Sequence, residues 1–365
     1  MNVPFVDLKA QYESIKSEID GAIQSVIDKT AFISGEFASS FEKEFSNYLG
    51  LENVVACANG TDSLEILLQA AGIGIGDEVI VPAISWISTS EAVSSIGAKP
   101  VFVDVDENNL IDLSKIEEKI TPRTKAIIPV HLYGYPVRMD LLMEIANRNK
   151  LFVLEDCAQS HGAEVFGKMV GTFGDCSSYS FYPGKNLGAY GDAGAMATNN
   201  SDLARVSRAI ANHGQIGKHN HIMEGRNSRM DGIQGAILNV KLKYLNEWTS
   251  RRIDNAALYN KYLKSNVVRP QVQNGLKHVF HLFVIKHERR DELALYLKEC
   301  GIETAIHYPT PLPLLPCYCN NPDEVKHQYP KATEAANRIL SLPMYAELSE
   351  KQIEYVASKV NEFGE

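Results

Sequence analysis

No stretch of the chain approaches the roughly 20 consecutive apolar residues that a membrane-crossing helix requires. The opening residues, MNVPFVDLKAQYESIKSEID, hold no basic segment followed by an apolar one, so no secretory signal is expected. A cationic surplus is lacking too. The formal net charge is −9, which repels phosphate backbones and excludes a generic nucleic-acid binder. Cysteines number six, at positions 57, 157, 176, 300, 317 and 319, with neither the density of a disulfide scaffold nor paired zinc spacings. Cys317 and Cys319, in PCYC, read as loop thiols because no second pair follows them. These absences predict a cytoplasmic protein with reduced thiols, no metal, and no nucleic-acid or membrane partner. What is present is 45% hydrophobic and 22% charged, enough in 365 residues for one large core and a smaller one.

From residue 51 onward, short β-branched runs alternate with helical stretches. NVVACA (53–58), DEVIVP (77–82), KPVFVDV (99–105), KAIIPVHLYG (125–134), LFVLED (151–156), SSYSF (177–181) and AGAMATN (193–199) read as strands. Between them TDSLEILLQAAG (61–72), WISTSEAVSSIG (86–97) and MDLLMEIANRNK (139–150) read as helices. Such interleaving predicts an α/β fold, a mostly parallel sheet with helices on both faces. Ligands of these sheets collect beyond the carboxyl ends of the strands, so chemistry is expected in the residues that follow each strand. Residues 229–263 read as one long helix or two joined ones, linking a large domain (1–248) to a smaller C-terminal one (249–365). In the latter, HVFHLFVIKH (278–287) is a strand, RDELALYLKECG (290–301) a helix stopped by glycine, and SEKQIEYVASKVNEF (349–363) an amphipathic helix with a serine cap.

Four constellations carry candidate chemistry. In CANGTDSLEILL a strand runs into Asn59-Gly60-Thr61 and a helix starts at once, which makes either an anion site or an ordinary capped turn. Nearby GIGIGD mimics a dinucleotide fingerprint but follows a helix and precedes a strand, the wrong order for a phosphate loop. In LFVLEDCAQSHGA, Asp156 ends a very apolar strand, where a bare carboxylate is costly without a cationic partner. It can hold a protonated ring nitrogen or cap a helix. A Cys157–His161 nucleophile pair is a third option, without a supporting oxyanion-hole motif.

The third constellation, SFYPGKNLGAYGDAGA (180–195), sets Lys185 among small and aromatic residues with no acid nearer than Asp192. A lysine bound to a carbonyl as a Schiff base needs a lowered pKa and room for a flat ligand. Glycines on either side give that room, Phe181 and Tyr182 help exclude water, and Ser180 offers a hydroxyl for phosphate. A surface-loop lysine is the plain alternative. The fourth, HGQIGKHNHIMEGRNSRMDGIQGAIL (213–238), gathers Lys218, His219, His221, Arg226 and Arg229, either a solvated loop or an electrostatic catch for a phosphorylated ligand.

NGTDSL, EDCAQSHGA, SFYPGKNLGAYGDAGA and GRNSRMDGIQGAIL, in this order and spacing, resemble the sugar aminotransferases of the DegT/DnrJ/EryC1/StrS family. These use pyridoxal 5′-phosphate on the aspartate-aminotransferase fold (fold type I), and the resemblance spans almost the entire chain. It implies that Lys185 carries the cofactor as an internal aldimine and serves as general base and acid. It further implies that Asp156 pairs with the pyridine nitrogen, Gln159 with the ring hydroxyl, and Gly60, Thr61 and Ser180 with the phosphate. Asn227 would reach that phosphate from the partner subunit of a homodimer. Trp86 lies where the family sets an aromatic residue against the ring; packing at a helix start is its alternative role.

By the same resemblance L-glutamate is the amino donor and a nucleotide-linked keto sugar the acceptor, with Lys218, His219, Arg229, His307 and Tyr308 as substrate contacts. ISWISTSEAV, PVHLYG and PGKNLGAYGDAG are most similar to members that aminate C3 of a dTDP-linked 3-keto-6-deoxyhexose. UDP-linked 3-keto sugars and 4-keto sugars are the runners-up. Relatives with histidine at the lysine position remove a hydroxyl instead, so Lys185 favours transamination. One departure stands out: HYPTPLPLLPCY carries Pro313 where many relatives have histidine. Outside this class, the alternatives are a non-catalytic cofactor-binding protein and a Cys/His hydrolase.

Overall fold

Alternation along each strand builds two apolar faces. In the computed structural model, which describes residues 1–363, the strands are β1 (Asn53–Cys57), β2 (Glu78–Pro82), β3 (Lys99–Val103), β4 (Thr124–Ile127), β5 (Phe152–Asp156), β6 (Glu164–Val165), β7 (Lys168–Met169), β8 (Cys176–Ser180), β9 (Gly194–Thr198), β10 (Leu276–Lys277), β11 (Phe283–Lys286) and β12 (Ile339–Leu342). Val55, Val79, Val81, Ala126, Leu154 and Met196 point to one face, against Leu64, Leu67, Val93 and Leu203 of the helices Gly60–Ala70, Ser88–Ser95 and Ser201–Ala211. Their sequence neighbours point to the other face. There Val54, Ala195 and Tyr179 pack on Phe41 and Phe45 of helix Gly35–Leu49, while Ile80, Ile127 and Val153 pack on Leu142 of helix Met139–Asn149. Burial on both sides is why these strands read as continuous apolar runs.

The central sheet has seven strands in the order β1-β9-β8-β5-β4-β2-β3. All run parallel except β9, which pairs antiparallel with both β1 and β8. The carboxyl ends of the six parallel strands therefore share one edge, and Gly194 at the start of β9 stands there opposite Cys57 and Ser180. A second unit surrounds the antiparallel pair β11–β12, where Phe283 and Leu340 pack with Tyr259, Leu297, Ile353 and Val356. Val3 lies in this same core and bridges to Ile302.

Several elements differ from the sequence expectation. The strand expected over 125–134 ends at Ile127, because Pro129 has no N–H to donate and Leu132–Gly134 winds into a 3-10 turn. The span 229–263 is two helices, Gly232–Leu242 and Leu245–Tyr262, and the strand expected over 278–287 is confined to Phe283–Lys286. The helices Leu8–Ser14, Lys16–Asp28 and Gly35–Leu49 have no counterpart in the sequence reading. Ser349 caps the last helix in a full capping box with Gln352. Among the described residues no helix is long and apolar enough to cross a membrane.

Candidate active site

Asn59 turns the chain from β1 into helix Gly60–Ala70, its side chain accepting a hydrogen bond from Asp62 N at 2.8 Å. The helix start lies directly on the end of β8: a Cβ added to Gly60 would stand 2.7 Å from Ser180 Cβ. Only glycine permits this approach. Ser63 Oγ, on the same helix, also bonds to Ser178 Oγ. Thr61 Oγ1 lies 2.7 Å from Ser88 Oγ, which in turn donates to Glu91 at 3.0 Å.

Asp156, at the carboxyl end of β5, is buried. Oδ2 accepts from Thr89 Oγ1 at 2.9 Å and Oδ1 from Ala158 N at 3.1 Å. The residues that follow form a turn, so Asp156 caps no helix. Burial pushes its carboxyl above the ordinary range, and the two hydrogen bonds and the Lys185 charge only partly counter this. Gln159 is held at both ends, Oε1 accepting from Tyr133 N at 2.6 Å and Nε2 donating to Tyr308 OH at 3.2 Å.

Lys185 is half-buried in the loop after β8, and among the described residues its ammonium makes no hydrogen bond or ion pair. Burial lowers its pKa to about 8, with Asp156 pulling the other way. The loop is tight: Lys185 N donates to Tyr182 O at 2.8 Å, and a Cβ on Gly188 would meet Pro183 O at 2.3 Å. Asn186 Nδ2 donates to Val279 O at 3.2 Å, so its Oδ1 accepts from His281 Nδ1 at 3.1 Å. His161 is buried against Tyr179 and Phe181, and among the described residues neither of its ring nitrogens meets a hydrogen-bond partner. Its pKa falls to about 3 through burial, with the Lys185 charge adding to the effect.

Tyr308 completes this wall, its ring 5.6 Å from that of Trp86. Trp86 is 58% exposed, so helix-start packing is not its role. His307 Nδ1 lies 2.8 Å from Ser341 Oγ, and its pKa falls to about 4 through burial and the Lys185 charge. Pro313 is buried in a turn that begins with Leu312 N donating to Ala83 O at 2.8 Å.

The basic loop is only partly what either sequence reading expects. Arg226 is committed to Glu65 in an ion pair, whereas Lys218 and His219 are exposed. Arg229 is half-buried, with its Nε unpartnered among the described residues. Asn227 is exposed, its backbone held by a bridge to Asn212. Within the one chain Lys218, His219, Asn227 and Arg229 make no hydrogen bond or ion pair with the Lys185–Asp156 group among the described residues. The hydrolase alternative fails on geometry. Cys157 is fully buried, burial raises its thiol far above the ordinary value, and no hydrogen bond joins it to His161.

Sequence reasoning missed Thr89, Tyr133, Asn186 and His281. Thr89 was within reach, since the segment after β2 is rich in hydroxyls and follows a carboxyl end. Glu155, inside β5, was missed as well; its buried carboxylate accepts from Gly171, Phe173 and Gly174 N at 2.7, 2.7 and 2.8 Å and from His131 Nε2 at 3.1 Å. Val137 N donates to His131 Nδ1 at 3.0 Å, which leaves the ring proton on Nε2.

Known proteins resemble this chain over its whole length. The chain is 44% identical to a "Pleiotropic regulatory protein" of Geobacillus stearothermophilus, over 100% of this chain and 99% of the relative. It is 41% identical to the dTDP-3-amino-3,4,6-trideoxy-alpha-D-glucose transaminase of Streptomyces venezuelae, over 100% and 96%. Among solved structures, S. venezuelae DesV superposes with a TM-score of 0.96 at 41% identity, covering 100% of this chain and 99% of that one. The model of the DegT/DnrJ/EryC1/StrS aminotransferase family matches residues 13–361, and the chain belongs to that family.

Proposed function

We propose that this chain transfers the amino group of L-glutamate to a nucleotide-linked keto sugar, at C3 of a dTDP-linked 3-keto-6-deoxyhexose, working in the cytoplasm as a homodimer. The family's cofactor is pyridoxal 5′-phosphate, and the residues present fit it. The observation that carries the reading is the pairing of an uncompensated Lys185 amine with a buried, half-satisfied Asp156 carboxylate at one sheet edge. Gly60 against Ser180 leaves a side-chain-free cradle at a helix start, suited to a phosphate.

When bound, pyridoxal 5′-phosphate supplies a conjugated ring that takes up the electron pair of a breaking C–H bond. Asp156 would hold the ring nitrogen protonated, and that cation would offset the burial that now raises its own carboxyl. Lys185 Nζ would hold the aldehyde carbon and, once displaced by the donor amine, move a proton to and from the donor's α-carbon. Its lowered pKa favours the free amine that this task needs. Gln159 would meet the ring hydroxyl, Thr61 and Ser180 the phosphate, and Trp86 the ring face. Asn227 of the partner subunit would complete the phosphate site; the exposure of Asn227 and of the nearby Ile33, Ile216 and Ile222 supports a shared interface. Lys218, His219, Arg229, His307 and Tyr308 would contact the nucleotide sugar, and the chain would divide into a large domain, 1–248, and a small one, 249–365.

The test is a side-by-side assay of dTDP-3-keto, dTDP-4-keto and UDP-3-keto sugars with glutamate. Preferred turnover of the dTDP-3-keto compound is the expected result, and preference for either other sugar overturns the assignment of carbon or nucleotide. A protein that takes up pyridoxal phosphate yet shows no half-reaction with glutamate is instead a regulator, the role the Geobacillus stearothermophilus relative's name describes.

A further inference from the structure

Lys241 is a buried cation for which the proposed transamination has no use. It lies on helix Gly232–Leu242 with none of its surface exposed. Its Nζ donates to Gly188 O at 2.7 Å and stands 4.4 Å from the centre of the Tyr190 ring. Among the described residues this is the only hydrogen bond that Gly188 O accepts. Burial lowers the lysine's pKa to about 8, with the charge of Glu347 as a counterweight. A buried ammonium is costly where an apolar side chain of the same length would fill the space.

The same helix holds the loop a second time. Gln234, seven residues or two turns before Lys241, accepts from Tyr190 N at 2.9 Å. Gly188 and Tyr190 close the loop that starts at Phe181, where Ala189 N donates back to Phe181 O at 2.8 Å. Between those fixed points, among the described residues, the backbone carrying Lys185 has few other anchors: the Lys185 N–Tyr182 O bond, a long Tyr182 N–Ser180 Oγ bond of 3.4 Å, and the Asn186 side chain.

We propose that Lys241 is a positioning residue for Lys185, its ammonium fixing Gly188 O and through it the geometry of the whole 182–190 loop. The inference rests on the reading of Lys185 as the cofactor-bearing residue, but the anchoring itself is independent of any cofactor.

Hydrogen–deuterium exchange over residues 182–190 of the full chain without added cofactor tests the anchoring. Pyridoxal phosphate titration, and the pH midpoint of the visible band of the loaded enzyme, test its consequence. Losing a charge-assisted hydrogen bond in Lys241→Met is expected to speed exchange over 182–190 about tenfold and to weaken cofactor binding by about as much. Exchange in helix Gly60–Ala70 stays unchanged and the band midpoint shifts. Lys241→Arg, which keeps a cation, recovers most of the protection. A uniform rise in exchange across the chain with an unmoved band midpoint marks a merely structural lysine and overturns the proposal, as does unchanged exchange over 182–190. Should Lys241→Met not fold, Lys241→Gln, whose amide falls short of Gly188 O, is read by the same criteria. Wild-type protein that takes up no pyridoxal phosphate defeats the proposed function while leaving the exchange result to decide the anchoring.

Discussion

Thr89 Oγ1 donates to Asp156 Oδ2 at 2.9 Å while itself lying 2.8 Å from Ser85 Oγ. A buried carboxylate is thus held by a short hydroxyl relay from the segment after β2. Thr89→Val keeps the shape and removes the donor. Because that bond lowers the Asp156 carboxyl, its loss lets the carboxyl rise further. The acid limb of the pH profile of kcat/KM then moves to higher pH, and kcat falls about tenfold. A profile that superposes on the wild type contradicts the role given to this relay.

Gly60→Ala adds a methyl group 2.7 Å from Ser180 Cβ. Both residues sit on secondary structure, so the helix start must move off the sheet edge. Overpacking of this kind costs about 1–3 kcal/mol of stability. Affinity for pyridoxal phosphate should fall by more than about tenfold if the helix amides hold its phosphate. Equilibrium titration of the cofactor-free protein measures it.

Lys185 gives the cofactor-free protein a defined pH response. Its folded pKa, about 8, lies below the ordinary 10.5, so between those values the unfolded chain binds more protons and stability rises with pH. Below pH 8 both states are protonated and the burial penalty is fully present. Lys185→Met lacks the penalty, so its stability advantage over the wild type is expected to shrink from pH 8 to 10.5. Urea midpoints of the two proteins across that window provide the comparison. The same variant should bind no cofactor with a visible band.

Glu155→Gln replaces a carboxylate that accepts three backbone amides and the His131 ring proton. A carboxamide turns one acceptor into a donor facing another donor. Destabilisation of about 3 kcal/mol is expected from an unsatisfied buried group. Since Glu155 precedes Asp156 on β5, activity should suffer through misplacement of its neighbour. Chemical denaturation of the variant checks the first effect.

The sheet was legible because burial on both faces leaves continuous β-branched runs, and the rule that ligands collect beyond strand ends pointed to the edge that carries Gly60, Asp156 and Lys185, whose roles came from their motifs and the family resemblance. Helix Gly35–Leu49 was not legible in the same way although Phe41 and Phe45 anchor one face of the sheet, because it precedes the alternation of strands and helices that starts at residue 51. Lys241 and His281 escaped for a different reason. Each sits in an apolar stretch that reads as plain core, and only tertiary contact turns it toward the Lys185 loop. The basic loop misled in part, since the Arg226 partner, Glu65, lies on a helix far away in sequence.

The reversed strand has a consequence for how the protein comes into being. Asn53 faces Thr198 and Cys57 faces Gly194 across β1 and β9, and β1 touches the rest of the sheet through β9 alone. During synthesis the first strand therefore has no docking site until the chain has emerged past residue 198. Until then its apolar residues have only the two helices beside it in sequence for cover, Val54 against Phe41 and Phe45 and Val55 against Leu64 and Leu67.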